Sequence, residues 1–238
     1  MNRKLSYLLA LSIAFAASRK QGSPLDHLPP NLERLTDFGE RADISPDNQR
    51  VAFMAKSFGD AFVIDLKTRS IRCLTCNVPA AVFLRVMHLS TGDYILIGPE
   101  RFKDIHTSRA EDNKLWFLSR SPGSKPVKLG QKLSEGAAIS KRSLKLAWSE
   151  THAQFPGLPR GSSRLITAEL QYVDGVPRIV SRKTVFESPD AACTIEAQDF
   201  YDDDARMTFT CYEPNHAASV MSIDLKTGIV TNMSKTPG

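Results

Sequence analysis

42-ADISPDNQRVAF-53 and, after a short gap, 62-FVIDLKTRSIRCLT-75 decide how this chain is read. The first segment is a strand, a Ser-Pro-Asp turn and a second strand. The next brings a third strand, a Lys-Thr turn and a fourth. Within the third strand Ile64 and Leu66 alternate with Asp65, the period of two expected where one strand face is buried more deeply than the other. The whole stretch is one four-stranded antiparallel unit, and Leu74-Thr75 closes it.

That unit repeats. Its first turn, Ser45-Pro46-Asp47-Asn48, recurs as Ser90-Thr91-Gly92-Asp93, Ser140-Lys141-Arg142-Ser143 and Tyr201-Asp202-Asp203-Asp204, each followed by an apolar strand. The third strand recurs as well, and Ile-Asp-Leu-Lys-Thr stands word for word at 64–68 and 223–227. Turns starting at 45, 90, 140 and 201 are 45, 50 and 61 residues apart, and the shortest spacing is that of a propeller repeat, about 40–45 residues. The fold expected is all-β, a β-propeller of four-stranded antiparallel blades, with four visible at about 40–77, 84–131, 133–187 and 193–235 within a domain spanning 32–238. The surplus length falls in two polar, Pro- and Gly-containing loops, 98–113 and 150–163, placed on the ring surface. No sustained helical period is visible.

Leu32 to Thr36 resembles a closing strand that precedes its own blade. The fourth unit already ends on such a strand, Ile229-Val230-Thr231-Asn232-Met233, so the early one has no vacancy. An incomplete ring, continuing in blades beyond Gly238, is therefore expected.

At the other terminus Arg3 and Lys4, the apolar run 5–15 and Ala14-Phe15-Ala16 have the order of a cleaved secretory signal, 1–16. An uncleaved anchor is the alternative, but the run is shorter than the ~20 apolar residues of a span, so no stable membrane span is expected. Residues 17–31 form an exposed, proline-containing lead-in. Removing the signal lowers the formal charge of +5 by two, to +3. This is too small and scattered a charge for a nucleic-acid partner. A periplasmic or secreted protein is expected.

In such a compartment the four cysteines pair more readily than they bind metal. Cys193 and Cys211 flank a hairpin turning at 202–204 and are candidates for a disulfide. Cys73 and Cys76 are then a small structural loop or two free thiols, since no second CxxC or histidine pair makes them a zinc site. The histidines His27, His88, His106, His152 and His216 show no metal spacing, and His152 and His216, each after a second strand, are the first to inspect at the ring axis. Asp199, Asp202, Asp203 and Asp204 read as turn formers rather than a calcium loop. Lys125, Lys128, Lys132, Lys141 and Arg142 read as a solvated blade edge, and Trp116 and Trp148 as core. Ser162 and Ser163 lack a nucleophile elbow. No catalytic, cofactor-binding or metal-ligating set is assigned.

The segment Ser45 to Phe53 resembles the TolB-type (WD40-like) β-propeller repeat, with its Ser-Pro-Asp-Gly-Lys turn and Ile-Ala-Phe-like strand, and Asn48 stands where that family has glycine. Ile64-Asp65-Leu66 and Leu74-Thr75 fit its third and closing strands. The resemblance implies an exported, non-catalytic propeller that binds an envelope or extracellular protein, or another macromolecule such as polysaccharide, through its loops. Related propellers also occur in a lyase acting on acidic oligosaccharide and in prolyl oligopeptidase-like enzymes, and these are the alternatives.

Overall fold

The computed structural model describes residues 22–188, 193–214 and 217–234. Residues 1–16, where a secretory signal is expected, His216 and Lys235 lie outside them. Two compact units divide the chain, 1–37 and 38–238. In the first, Pro24–His27 form one 3-10 turn capped by Ser23, whose Oγ accepts the Leu25 N–H while Asp26 accepts the Ser23 N–H. Residues 32–36 carry no strand, so the premise of an early closing strand fails.

The second unit is a propeller of four antiparallel four-stranded sheets, each a simple meander. Blade one holds β1 Glu40–Ile44, β2 Arg50–Met54, β3 Ala61–Asp65 and β4 Ile71–Cys73. Blade two holds β5 Arg85–His88, β6 Tyr94–Gly98, β7 Lys114–Leu118 and β8 Val127–Lys132. Blade three holds β9 Ala137–Ile139, β10 Lys145–Thr151, β11 Ser163–Val173 and β12 Val176–Ser188, and blade four β13 Thr194–Tyr201, β14 Arg206–Tyr212, β15 Ala218–Asp224 and β16 Val230–Asn232. The repeated Ile-Asp-Leu-Lys-Thr makes the same turn twice. Asp65 Oδ1 accepts the N–H groups of Lys67 and Thr68 at 3.1 and 2.9 Å, and Asp224 Oδ1 those of Lys226 and Thr227 at 3.0 and 2.8 Å. Asn48 takes φ 56°, the left-handed value that its short polar side chain tolerates.

Strand alternation explains how blades stack. In β6, Tyr94 and Leu96 face blade one with Ala52, Met54 and Val63, while Ile95 and Ile97 face blade three with Leu146, Trp148 and Ile166. In β10, Ala147 turns the other way and joins Ile195, Met207, Phe209 and Ile223 of blade four. Because both faces of an inner strand are covered, these segments read as continuous apolar runs. Three apolar clusters thus join four blades, and among the described residues neither a cluster nor a ladder joins blade four back to blade one. The ring is open.

Disulfides join Cys73 to Cys76 and Cys193 to Cys211, the latter spanning the start of β13 and the end of β14. Trp148 is fully buried, and Trp116 is half-buried with Lys128 over its ring. Two loop readings need correction. Residues 98–113 contain a short helix, α1 Ile105–Ala110, started by Asp104, whose side chain accepts the Thr107 N–H at 2.9 Å. One capped turn is too short to show a period. Residue 150 opens no loop, because β10 runs through it. Glu150 is 0% exposed, accepting from Trp148 Nε1 and pairing with Arg164 and Arg182 at 2.8 and 2.7 Å.

Candidate functional site

The first strands of the four blades run side by side along the axis, and side chains from non-adjacent blades meet there. At the end where these strands begin, Arg41 of β1 reaches Glu135 at 2.6 Å, and Arg85 of β5 lies 3.4 Å from Glu135 and 3.3 Å from Glu196 of β13. Arg109, on α1, also binds Glu135. Tyr212 donates to Glu196 at 2.9 Å. Gly136 permits the approach of blades three and four, since a Cβ there would lie 2.2 Å from Glu196 Cγ and 2.9 Å from the Ala197 carbonyl oxygen. Burial would push the Glu135 carboxyl up, but the Arg109 hydrogen bond and the Arg109, Arg41 and Arg85 charges outweigh it and hold it below the usual range. The Nε atoms of Arg41 and Arg85 are buried without a hydrogen-bond partner.

In a meander the loop between second and third strands and the link to the next blade fall at this same end, so both long loops do too. They touch, for Gln154 donates to the Ala110 carbonyl. Two clefts result, with Arg109 between them. One, of ≈ 410 Å³, is lined by Arg41, Lys56 and Arg109 and by Phe58, Phe102 and Ile105, with no carboxylate in its wall. Its two aromatic rings lie 5.1 Å apart. The volume lies within the roughly 300–1,000 Å³ of ligand sites. The other, of ≈ 300 Å³, is lined by Glu135, Gln154, Glu196 and Tyr212 among others.

The opposite end of the axis, where the tight turns lie, carries a different network. Asp43 accepts the His88 backbone N–H at 2.7 Å, meets His88 Nδ1 at 3.0 Å and pairs with Lys141 at 2.7 Å. Burial raises the Asp43 carboxyl, yet the hydrogen bond from His88 and the Lys141 charge lower it further, so the group stays below its ordinary value. Asp199, by contrast, is pushed up by burial and by the nearby charges of Asp43 and Asp204. Asp204 accepts from Ser140 at 2.7 Å and from Ser143 at 2.8 Å, and Asp202, Asp203 and Asp204 all take positive φ as turn residues.

These positions revise the sequence reading. Lys141 is no part of a solvated edge, because the turn that carries it folds over the axis toward Asp43. His152 contacts the Leu158 carbonyl at 2.6 Å within its own loop, and the histidine at the axis is His88. The signal that finds it is the repeat phase. Two residues before each turn stand Asp43, His88, Ala138 and Asp199, and five before it Glu40, Arg85, Glu135 and Glu196. Both polar clusters are such rows, with Arg41 displaced into the second by the bulge between Glu40 and Asp43.

Among the described residues one group of His, Cys, Asp or Glu has ligand atoms converging, Asp60 with Cys73 and Cys76. Both sulfurs are spent in the disulfide. No described helix is long and apolar enough to cross a membrane.

No family model and no curated protein matches the chain. Among solved structures it is similar to TolB from Acinetobacter baumannii, at TM-score 0.58 and 16% identity over 87% of this chain and 46% of that one. It is similar also to an oligogalacturonate lyase in complex with manganese, at TM-score 0.51 and 16% identity over 83% of this chain and 53% of that one. The chain spans about half the length of each. At such identities the likeness is one of fold, the TolB-type propeller.

Proposed function

We propose that this chain, built on the TolB-type propeller fold, is an exported, non-catalytic binding protein that holds a segment of an envelope or extracellular protein at its loop-bearing face. The observation that carries this reading is the cleft where Arg41, Lys56 and Arg109 surround Phe58, Phe102 and Ile105. Cations over an apolar floor suit a peptide segment that pairs acidic with aromatic or aliphatic residues. Lys56 makes no ion pair among the described residues, so its charge is available to a partner. The rigid blades supply the second requirement, because loops held at both ends lose little freedom on binding. Export rests on the signal at 1–16.

Selection from a displayed random peptide library tests the reading. Peptides enriched on the protein should combine Asp or Glu with Phe, Leu or Ile, and the Lys56→Glu/Arg109→Glu variant should lose them by about tenfold or more in affinity, the scale of one lost charge-assisted contact. Enrichment indifferent to that double charge reversal, in a variant that still melts cooperatively, would refute it.

A further inference from the structure

We propose that the turn-bearing face carries a second and separate site, between blades one and two, that takes a compact anion bearing a hydroxyl, an α-hydroxycarboxylate or hydrogen phosphate, with the hydroxyl donating to His88 Nε2. The site is a pocket of ≈ 180 Å³ whose wall includes Asp47, Arg50, His88, Ser90, Thr91 and Arg120. It is smaller than the roughly 300 Å³ at which drug-sized ligands begin to fit, which limits the ligand to a compact ion.

His88 is the unusual member. It is 1% exposed, its ring packs against Tyr94 with centroids 5.0 Å apart, and its Nε2 is buried with no hydrogen-bond partner. Leaving a buried polar atom unmatched is destabilising, so the fold tolerates something here that a ligand would relieve. The character of that atom follows from its neighbours. Asp43, ion-paired with Lys141, is a carboxylate and only accepts, so the ring hydrogen sits on Nδ1 and points at Asp43. With the single ring hydrogen on Nδ1, the unpartnered Nε2 of this pocket-lining residue is an acceptor, and the ligand must bring the donor.

The serine and threonine hydroxyls of the wall cannot take that part. Ser90 Oγ donates to the Ser143 carbonyl at 2.9 Å, Thr91 Oγ1 to Asp93 at 2.8 Å, and Ser45 Oγ to Asp47 at 2.5 Å. What remains toward the pocket is lone pairs. The donors are guanidiniums. Arg50 lies 3.7 Å from Asp47 and 4.0 Å from Asp65, whereas Arg120 makes no ion pair among the described residues. Arg120 is also anchored, its backbone N–H donating to Asp93 at 2.9 Å. The pocket therefore asks for two things at once: negative charge for Arg120 and an O–H donor for Nε2. Glycolate and hydrogen phosphate offer both. Acetate offers only the charge, and glycerol only the hydroxyl.

Calorimetric and ligand-observed NMR titrations of the full chain at about pH 8, above the ordinary imidazole range, test this with those four probes. Glycolate or phosphate should saturate one site, and whichever does so identifies the anion type. Acetate and glycerol should each bind about tenfold more weakly, the scale of one hydrogen bond or ion pair withheld. Arg120→Gln should weaken the favoured anion about tenfold, and His88→Gln should abolish the preference for glycolate over acetate. Arg120 is exposed, so its variant keeps the test decisive if the buried His88 change prevents folding. Absence of saturable binding, equal binding of acetate and glycolate, or unchanged binding in Arg120→Gln would each overturn the proposal.

Discussion

At the loop-bearing end of the axis three guanidiniums, those of Arg41, Arg85 and Arg109, surround one carboxylate, Glu135. The other end reverses the balance. There Asp43 takes His88 and Lys141, while Asp199 remains beside Asp43 and Asp204 with its carboxyl pushed up. The same four strands carry both ends, so the strands do not choose the charge. What differs is that one row adds cations from a bulge and a loop helix, Arg41 and Arg109, and the other adds acids from a turn. The loop end is consequently a rim of arginines gathered around Glu135, and the turn end gathers aspartates beside His88 and Lys141.

Removing the hub of the rim should have the largest effect. Glu135→Gln removes the counter-charge that Arg41, Arg85 and Arg109 share, leaving Arg41 with Glu40 and Arg85 with Glu196, and urea unfolding should show a loss of about 2.5 kcal/mol, just below the range for breaking a fully buried ion pair. A loss under about 0.5 kcal/mol, the level of an ordinary surface change, would mean that solvent already screens the cluster.

At the opposite end Asp43→Asn should cost about 2 kcal/mol near neutral pH, from the unpaired Lys141 and the weakened hold on His88. Its pH dependence is fixed in sign. Because the folded Asp43 carboxyl lies below its unfolded value, its contribution is complete above the unfolded value and is lost as pH falls through the lowered folded one. The gap between wild type and variant should therefore close in acid.

Asp199→Asn should do the reverse, and by less. The folded carboxyl lies above its unfolded value, so wild-type stability falls as pH rises from the unfolded value, and the loss is complete above the raised folded one. The variant should be slightly the more stable protein near neutral pH, with a melting rise of no more than about 2 °C because solvent screens the exposed carboxyl, and should match wild type in acid. Equal melting temperatures across the range would show that Asp199 is not penalised. Smallest of all, Tyr212→Phe removes one exposed hydrogen bond to Glu196 and should cost about 0.5 kcal/mol.

Much of this was legible along the chain, and for a definite reason. Each blade presents the same register positions to the axis, so counting back from the turns at 45, 90, 140 and 201 finds Asp43, His88 and Asp199 in one row and Arg85, Glu135 and Glu196 in another. His152 stands away from the axis because it follows a second strand, which leads into a loop, whereas the end of the first strand lines the axis. Arg41 and Arg109 escape any such count. The first reaches its row through a β-bulge, and the second stands on a helix of six residues whose only sequence mark is the Asp104 cap.

The sequence alone determined the blade. Period-two burial, turn residues tolerant of positive φ and a repeated Ile-Asp-Leu-Lys-Thr are local properties, satisfied within each unit whatever lies beside it. Tertiary structure alone decided that Glu150 is buried under two arginines, and that the charges of residues 41, 85, 109 and 135 meet. Those outcomes depend on how blades stack around an axis, and the energy of bringing charges together is set by distance and burial across blades, neither of which is written in the spacing of any one repeat.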